Sequence, residues 1–517
     1  MRKQHPHQFD DRKKNSPENT SRMAKVLTII LVLLLGLENA SCLVEGASSN
    51  QHLHVISTKK NGGHFNVFTF EDLINQSPTS ATTSKTRTES GSIVKRVESA
   101  LRSTFLPSGF PNRTPEGYLR FSVWSWIQDL STQLRSVLAT QRVLEGVGVG
   151  REGATALSAL MNFLVRDGCG MAATLFFTSA ASSRFRTDVK RWRLFADLMV
   201  DIGITLEVAA VMVPRNIFLP MISIGNMCKA ICGVAAGACG GSINLHWAKG
   251  SDISDINAKF GAQHTVTGAM GLVFAALFAK SVSNINQVHL WILYSFLTIL
   301  HIFANIRCMR LIAFDSFNNA RMHLVLVEFF KWWDQSHGIK LEEPEQLGAP
   351  PILSTPAEIA KKEPLFFLPT RKVGRAYRSV IPIYFGDSFN NFSKFSQKSR
   401  VELKELMQTA EGYIISSGWT LDGRVPCVVI TLMSNASPLK EAKGYFHAQL
   451  LAREIEKHFD RNDTEILTIN ARAEVEKKAQ KEVDAAWEAF QRSCRSSGWN
   501  LAKTELRTLG YEADWSL

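Results

Sequence analysis

Six polar side chains lie inside or between long apolar runs in the middle of this 517-residue chain, and they offer most of its chemistry. They are Asp167, Asp197, Asp201, Asn226, Lys229 and His301. Burying a charge in an apolar medium costs several kcal/mol unless the charge is paired. Membrane segments retain such residues mainly for packing or for handling a polar ligand. We therefore predict that these residues form the polar interior of a membrane-associated helical domain.

Two of the acids define one helix face. Asp197 and Asp201 stand four residues apart, so they project from the same side of a helix. We predict that Lys229 neutralises one of them. A buried pair of this kind can specify helix packing or handle a polar ligand, and the sequence leaves both roles open. His301 is typical of a hydrogen bond between helices, with a ligand or a proton relay as the alternative.

A stripe of glycines shares the apolar run that carries Lys229. Gly233, Gly237 and Gly241 recur at intervals of four. Small residues at this spacing let a second helix approach closely where lipid provides no hydrophobic drive. The stripe therefore predicts the close helix contact across which Lys229 reaches its carboxylate.

Motifs for cofactor or metal chemistry are weak. Residues 146–153 contain the pattern G-x-G-x-x-G, but no buried strand precedes it and no βαβ unit follows, so a glycine link between helices is favoured. Cys228 and Cys232 lack C-x-x-C spacing and lie in an apolar run, so we predict no metal site. No hydrolase, P-loop, zincin or EF-hand motif is present. An enzyme therefore ranks last, with no catalytic residue and an unknown cofactor.

Composition indicates a mixed chain. The apolar share of 45% and the charged share of 21% are ordinary for a globular protein, so polar segments must offset the apolar runs. A net charge of +12 would suit nucleic acid or anionic lipid. No nucleic-acid-binding motif accompanies the charge, so we expect no nucleic acid partner.

The apolar runs predict the elements that position the polar residues. The runs are residues 154–165, 171–181, 194–213, 217–245, 266–282 and 288–306. The first two are each shorter than the roughly 20 residues that a spanning helix needs, and we predict a broken helix or a helical hairpin there. The predicted fold class is mainly α: a multi-helix, membrane-embedded N-terminal domain and a smaller soluble α+β C-terminal domain.

The N-terminus is predicted to be a targeting segment. A 12-residue apolar run at 26–37 follows Lys25 and precedes Ala40-Ser41-Cys42, which predicts a signal peptide or signal anchor over residues 1–42. Residues 43–104 predict a Ser/Thr-rich linker. The alternative is a transit segment behind the signal peptide, as a plastid reached through the secretory route would require.

The composition changes beyond residue 333. Residues 334–375 are rich in proline and predict an extended linker. Residues 376–517 predict the α+β domain, with β-rich runs at 379–385 and 425–432 and helices at 398–417, 439–459 and 471–497. The tetrapeptide Ser-Ser-Gly-Trp occurs at 416–419 and 496–499, where it predicts glycine caps at two helix ends.

An ordered series of motifs resembles the root UVB sensitive (RUS) family. The motifs are Phe105-Leu-Pro-x-Gly-Phe-Pro111, Leu138-Ala-Thr-Gln141, Gly146-x-Gly-Val-Gly150, Asp167-Gly-x-Gly-Met171, Trp192-Arg-Leu-Phe-Ala-Asp197, Ser223-x-x-Asn226-x-x-Lys229, Asp255-x-x-Ala-Lys259, Leu300-His-Ile-Phe-Ala-Asn305 and Asn319-x-Arg321. The resemblance is dense over 105–333, the predicted RUS-like helical membrane domain. It continues through Tyr445-x-His447-Ala-x-Leu450 to Gly510-Tyr-Glu-Ala-Asp-Trp515.

The resemblance implies a membrane-associated protein tied to UV-B response, seedling development, auxin transport and vitamin B6 homeostasis. It carries over no catalytic residue, and it implies that family members pair with one another. The expected partners are membrane lipid and either another RUS-family protein or a second copy of this chain. The expected location is a membrane entered through the secretory route, either the ER and endomembranes or a plastid reached through them.

Two functions are therefore predicted. In the first, the membrane domain handles a small polar metabolite. In the alternative, the chain is a membrane-anchored interaction scaffold that recruits partners through its C-terminal domain. An Asp197→Asn protein that folds and inserts but loses its biological effect would favour the first, and rescue by the C-terminal domain alone would favour the second.

Overall fold

Helices dominate the chain from residue 118 to residue 337. In order they are α1 (Tyr118–Val147), α2 (Ala156–Ala181), α3 (Val189–Ala209), α4 (Arg215–Trp247), α5 (Ile253–Val282), α6 (Gln287–Leu311) and α7 (Asn319–His337). The long apolar runs account for α2 to α6, because an apolar segment satisfies its backbone hydrogen bonds within a helix. The prediction of a mainly helical chain is confirmed.

The structure is a computed structural model that describes residues 54–58, 65–69, 100–148, 156–250, 252–282, 286–337, 351–366, 381–410, 412–420, 425–461, 469–506 and 512–513. The predicted signal segment at 1–42 lies outside these residues. Within the predicted linker at 43–104, β1 (His54–Thr58) and β2 (Phe65–Thr69) pair antiparallel. The chain divides into two compact units, residues 1–134 with 247–296 and residues 135–246 with 297–517.

The predicted break at residues 166–170 is wrong, because α2 continues through them. Arg166 and Asp167 form an ion pair at 2.8 Å, which neutralises the charge that interrupts the apolar run. Gly168 and Gly170 are not among the residues with positive φ, so both adopt ordinary helical backbone. The glycine link predicted at 146–153 lies partly outside the described residues, although Gly148, with φ of 96°, follows the end of α1.

In the first unit, the end of α4 and the start of α5 hold the segment that precedes α1. Tyr118 and Phe121 pack against Trp247 and Phe260. The Asp255 carboxylate accepts a hydrogen bond from the Ser108 backbone N–H at 2.7 Å. In the same region, Lys259 and Gln263 donate to the backbone carbonyls of Ser103 and Phe105. These contacts give a structural role to the polar first turns of α5.

The C-terminal part is α+β, as predicted. Its strands are β3 (Ile383–Phe385), β4 (Tyr413–Trp419), β5 (Pro426–Met433) and β6 (Glu512–Ala513), with β5 parallel to β3 and β6 and antiparallel to β4. Its helices are α8 (Pro356–Lys362), α9 (Phe389–Ser396), α10 (Arg400–Thr409), α11 (Pro438–Arg461) and α12 (Ile469–Ser496).

The repeated Ser-Ser-Gly-Trp tetrapeptide has two different structures. Residues 416–419 belong to β4, so the predicted helix over 398–417 is wrong beyond Thr409. A Cβ on Gly418 would lie 2.2 Å from the Phe395 carbonyl oxygen, so this glycine allows a close backbone contact. The second copy caps α12 as predicted: Gly498 has φ of 82°, and Trp499 N–H donates to the Cys494 carbonyl at 2.9 Å.

Part of the predicted extended linker is helical. Thr355 and Glu358 form a reciprocal capping box at the start of α8, which proline at position N1 also favours. Ile359 and Ala360 of this helix are buried. The structure therefore corrects the linker prediction for residues 351–366, and the predicted domain boundaries stay predictions.

One hydrophobic core joins α7 to the C-terminal elements. Phe317, Phe329 and Trp333 belong to the same buried cluster as Phe446 and Phe490. Phe329 packs edge-on against Phe490, with ring centroids 5.2 Å apart. The last helix of the predicted membrane domain therefore packs with the α+β elements.

Candidate functional site

The Asp201 carboxylate of α3 lies between two basic side chains from different helices. Arg135 of α1 donates to Asp201 Oδ1 at 2.5 Å, and Nδ1 of His301 in α6 lies 3.0 Å from Asp201 Oδ2. Arg135 also donates to the Thr298 hydroxyl at 3.4 Å. The Arg135 side chain is 0% exposed and His301 is 1% exposed, so this ion pair is shielded from solvent. The predicted helix-to-helix hydrogen bond of His301 is present.

Asp197 makes a second set of contacts one helical turn away. Arg193, also on α3, donates to Asp197 Oδ1 at 2.5 Å. Asn305 of α6 donates its side-chain N–H to Asp197 Oδ2. His301 and Asn305 are four residues apart on α6, as Asp201 and Asp197 are on α3, so the two helices meet through two successive polar contacts. We call Arg135, Arg193, Asp197, Asp201, His301 and Asn305 the polar ladder.

The predicted partner of Lys229 is wrong. Lys229 pairs with Glu207, a buried acid on α3. The close crossing of α3 and α4 explains this pairing: a Cβ on Gly203 would lie 2.5 Å from the Gly225 carbonyl oxygen, and one on Gly225 would lie 2.9 Å from the Gly203 carbonyl oxygen. Lys229 and Glu207 each follow one of these glycines by one turn, so the crossing brings them together.

The close approach of helices occurs away from the predicted glycine stripe. Among the described residues, no neighbouring atom lies within 4 Å of a Cβ built on Gly233, Gly237 or Gly241. The stripe is therefore not the contact that positions Lys229, because that contact uses Gly203 and Gly225. The predicted partner, a second RUS-family chain or another copy, stays a prediction.

Asn226 and Asp167 lie together at the contact between α2 and α4. The Asn226 side chain donates to the Arg166 carbonyl at 3.1 Å and lies 3.4 Å from Asp167 Oδ1. A Cβ on Gly170 would lie 2.6 Å from the Asn226 amide nitrogen, so a larger residue there would displace the Asn226 side chain. Asn226 therefore serves helix packing, separately from the polar ladder.

The predicted site left out four residues that complete these contacts: Arg135, Arg193, Glu207 and Asn305. The sequence does indicate Asn305, because it lies four residues after His301. The same spacing separates Asp197 from Asp201 and places each pair on one helix face. Arg135 lies in a helix that mixes polar and apolar residues. In such a helix, the sequence alone does not distinguish a buried arginine from an exposed one. Within the described residues, no group of three His, Cys, Asp or Glu side chains is arranged to hold a metal ion. The structure leaves the cofactor unidentified.

Several helices expose apolar side chains, whereas five of the six ladder residues are buried. On α6, Val288, Ile292, Phe296, Ile299 and Phe303 form one exposed stripe, whereas His301 and Asn305 lie on the buried side. Similar exposed stripes occur on α2 and α5. They comprise Leu157, Met161, Leu164, Met171 and Leu175 on α2 and Val266, Met270, Val273 and Leu277 on α5. The stripes make the surface of these helices apolar.

Two helices in the described part of the chain could cross a membrane by length and composition, α4 and α6. Their most apolar windows have mean hydropathies of 1.6 and 1.5. The core helix of a soluble protein would be mostly buried, yet only 22% of the α4 window and 44% of the α6 window are buried.

Two family models match most of the chain. Residues 92–332 match the "Vitamin B6 photo-protection and homoeostasis domain", and residues 352–515 match "Root UVB sensitive protein, C-terminal". The first match begins upstream of the predicted boundary at 105.

Individual relatives agree with the family models. Protein root UVB sensitive 3 of Arabidopsis thaliana is 27% identical over 416 residues, which is 80% of this chain and 85% of that protein. RUS family member 1 of Dictyostelium discoideum is 31% identical over 264 residues, which is 51% of this chain and 47% of that protein. Protein root UVB sensitive 2, chloroplastic, of Arabidopsis thaliana is 32% identical over 237 residues, or 46% of this chain and 53% of that protein. No solved structure matches the chain significantly. The motifs, both family models and these relatives agree: the chain belongs to the root UVB sensitive family.

Proposed function

We propose that this chain is a membrane-embedded protein of vitamin B6 photo-protection and homoeostasis, and that its polar ladder handles a small polar metabolite. The observation that supports the proposal is that polar side chains are buried in this helical region while large apolar side chains are exposed on its surface. Five of the six ladder residues are buried, all but the partly exposed Arg193. By contrast, Leu175 is 74% and Phe176 is 77% exposed on α2, and Ile299 is 67% exposed on α6. Contiguous exposed apolar surface marks a membrane or protein interaction site.

A lipid environment accounts for this pattern physically. Apolar side chains gain roughly 25 cal/mol per Å² of surface removed from water. Polar side chains within a bilayer face the protein interior and pair with one another. Asp201 with Arg135 and Glu207 with Lys229 follow this rule.

The polar-metabolite role is supported by the chemistry of the polar ladder. Its charged groups come from α1 and α3 and contact polar side chains of α6, so the site depends on how three helices are placed. Membrane proteins place ionisable groups in this way along routes for polar substrates. The family description supplies vitamin B6 as the metabolic context. The same proposal includes a plastid reached through the secretory route, which the predicted signal segment at 1–42 and a relative named chloroplastic support.

The test uses cells in which the gene is disrupted. Their vitamin B6 compounds and their growth under UV-B are compared after return of the wild type, Asp197→Asn or the control Arg142→Gln. Arg142 forms a partly exposed pair with Glu145 on α1. We expect the wild type and the control to restore both readouts, and Asp197→Asn to reach the membrane without restoring them.

The scaffold alternative predicts a different outcome. Residues 313–517 keep α7 with the core that it shares with the C-terminal elements. Restoration of both readouts by this fragment, or full restoration by Asp197→Asn, would contradict metabolite handling through the polar ladder.

A further inference from the structure

We propose that the turn between α2 and α3 binds the anionic headgroups of membrane phospholipids through Arg184 and Arg186. We call residues 182–188, which join these two helices, the basic turn. This inference rests on the proposed function, because it names the lipid chemistry that the membrane-embedded helices meet at one end. The recognised group is the phosphate of a negatively charged glycerophospholipid.

The basic turn lies at one defined end of the helices. Asp197 of α3 accepts a hydrogen bond from Asn305 of α6. One turn further along α3, Asp201 contacts His301, which lies one turn earlier on α6. The two helices therefore run antiparallel, so the start of α3 lies beside the end of α6. Because the basic turn joins the end of α2 to the start of α3, three helix ends meet there.

Arg184 and Arg186 are exposed cations at this end. Residues 182–193 contain five basic residues and one acidic residue. The other three basic residues pair with acids: Lys190 with Glu363, Arg191 with Asp188 and Arg193 with Asp197. Arg184 is exposed. The Arg186 side chain is 81% exposed and lies 3.9 Å from Glu505, near the outer limit for an ion pair. Both arginine side chains are thus accessible to a ligand.

The opposite end of α3 is less basic. Residues 210–216, where α3 connects to α4, contain one basic residue, Arg215, and no acidic residue. An excess of arginine and lysine at one end of membrane helices is typical of one face of a membrane. The charge therefore distinguishes the two ends of α3 and places the anionic partner at the basic turn.

Exposed apolar side chains lead up to this basic end. On α6, Ile299 is 67% and Phe303 is 50% exposed, and Arg307 is exposed as well. Their spacing of four residues places these side chains on one helix face, with Arg307 about 6 Å beyond Phe303 along the axis. On α2, the exposed Phe176 likewise precedes the basic turn. An apolar face that ends in arginine is typical of the boundary between hydrocarbon and headgroups, which favours a lipid over an acidic protein as the partner.

Aromatic side chains hold the basic turn in place. Phe185, between the two arginines in sequence, is buried and packs edge-on against Trp192, with ring centroids 5.1 Å apart. The Trp192 indole N–H donates to the Arg184 carbonyl at 2.9 Å. Trp192 also packs against Phe195, with ring centroids 5.4 Å apart. These contacts fix the backbone that carries both arginines, so the two charges have defined positions next to the exposed apolar surface.

The experiment titrates the full-length protein in uncharged maltoside micelles with dioctanoyl phosphatidylglycerol and follows binding by microscale thermophoresis. Dioctanoyl phosphatidylcholine is the lipid without net charge, and glycerol 3-phosphate is the phosphate without acyl chains. We expect phosphatidylglycerol to bind about tenfold more tightly than phosphatidylcholine, because each surface arginine contributes roughly fivefold. Glycerol 3-phosphate should bind more weakly still, since it has no chains to bury against the apolar faces. Added salt should weaken the phosphatidylglycerol binding by screening the exposed charges.

Four variants separate charge from structure. Arg184→Gln and Arg186→Gln should each weaken phosphatidylglycerol binding about fivefold, and the double variant should weaken it more than about tenfold. Replacing both arginines with lysine keeps the charges, so this variant should bind within about threefold of the wild type. The matched control is Arg215→Gln, which removes an exposed arginine from the opposite end of α3 and should match the wild type. Thermal unfolding midpoints should agree among all of these proteins, because every substituted side chain is exposed.

Each contrary result has a separate meaning. Equal binding of phosphatidylglycerol and phosphatidylcholine would overturn the headgroup site in favour of an acidic protein partner. Equal binding by the double glutamine variant and the wild type, or loss of binding in the double lysine variant, would overturn the role of the two charges. Glycerol 3-phosphate that binds as tightly as phosphatidylglycerol would assign the arginines to a soluble phosphate and overturn the lipid site. The proposed membrane role fails separately, when alkaline carbonate releases the wild-type protein from membranes.

Discussion

Arg135 neutralises Asp201 where neither side chain meets solvent. Removing one partner of a buried ion pair leaves the other charge uncompensated, which costs about 3–5 kcal/mol. We therefore predict that Arg135→Gln lowers the free energy of unfolding by about that amount, as measured by urea unfolding in detergent micelles.

The controls for this prediction lie on the same helix and in the same pair. Arg142→Gln removes a partly exposed ion pair and should cost no more than about 1 kcal/mol. The double variant Arg135→Gln with Asp201→Asn should recover much of the lost stability, because no unpaired charge remains. Equal effects of the Arg135 and Arg142 substitutions would contradict the burial of this pair.

His447 makes the C-terminal elements sensitive to pH. Burial lowers the pKa of His447 from 6.5 to about 4, and Lys443 acts in the same direction. The Tyr413 hydroxyl lies 3.2 Å from His447 Nδ1, which suits a neutral imidazole that accepts the hydrogen bond. A group whose folded pKa is depressed stabilises the fold above its unfolded pKa. This contribution is lost as pH falls from about 6.5 towards 4.

We therefore predict that His447→Gln removes part of the loss of stability between pH 7 and pH 4. The expected difference is at most about 3 kcal/mol, which corresponds to the change in pKa. Urea unfolding of the wild type and the variant at several pH values measures it. Burial also lowers the pKa of His323. Because His323 is present in both proteins, its contribution to the pH dependence cancels in the comparison. Parallel pH profiles would contradict the assignment.

At the scale of residues, burial was predictable only in part and pairing was not. Asp197 and Asp201 are buried as predicted, whereas the side chain of Asp167 is 49% exposed. The four-residue spacing of Asp197 and Asp201 was sufficient to place both on the buried face of α3. The partner of Lys229 depended on where α3 and α4 cross, which is a property of two helices that a single-helix pattern cannot show.

The crossing of α3 and α4 depends on Gly203. A Cβ there would lie 2.5 Å from the Gly225 carbonyl oxygen, whereas no neighbouring atom in the described part of the chain lies within 4 Å of a Cβ on Gly237. We predict that Gly203→Ala destabilises the protein by about 1–3 kcal/mol through overpacking. Gly237→Ala should be neutral or stabilising by up to about 1 kcal/mol, because alanine favours the helix. Thermal unfolding in the same detergent measures both, and similar effects would show that the crossing is misplaced.

The buried acid Glu363 anchors the segment that follows α8. It pairs with Lys190 at 2.7 Å and with Arg321 at 3.4 Å. Burial alone would raise the pKa of Glu363, but Lys190 and Arg321 lower it to about 2. Its contribution to stability is therefore complete above its ordinary pKa of 4.5 and is lost as pH falls through about 2.

We predict that Glu363→Gln at neutral pH leaves two buried cations unpaired and releases residues 351–366. The expected loss of stability is about 3–5 kcal/mol. Hydrogen–deuterium exchange should rise across α8, while the exposed substitution Lys361→Gln should leave the exchange unchanged. Unchanged exchange in Glu363→Gln would contradict the anchoring role.

At the scale of elements, the length of an apolar run was a reliable predictor of a helix. Charged residues and glycines within such a run were not a reliable predictor of a break in the helix. Arg166, Asp167 and two glycines did not interrupt α2, because the two charges pair and the helix retains its backbone hydrogen bonds. The proline-rich segment likewise concealed α8, in which Pro356 occupies the first turn, the position where proline is tolerated.

At the scale of the whole molecule, the sequence predicted the helical and α+β parts but not how α7 is shared between them. The aromatic side chains of α7 resemble an apolar membrane segment in composition, yet Phe329 and Trp333 pack with the C-terminal core. Only the contacts in the folded structure distinguish a helix that packs in the C-terminal core from an apolar membrane segment of similar composition.

Alkaline carbonate extraction of membranes that contain the full-length protein tests the central claim most directly. If α2, α5 and α6 turn their exposed apolar stripes towards lipid, the protein remains in the membrane pellet after extraction and enters solution only with detergent. Replacing Ile299 and Phe303 with lysine should reduce this retention, whereas Lys361→Gln should not. Quantitative release of the wild-type protein into the carbonate supernatant as a soluble monomer would contradict the account.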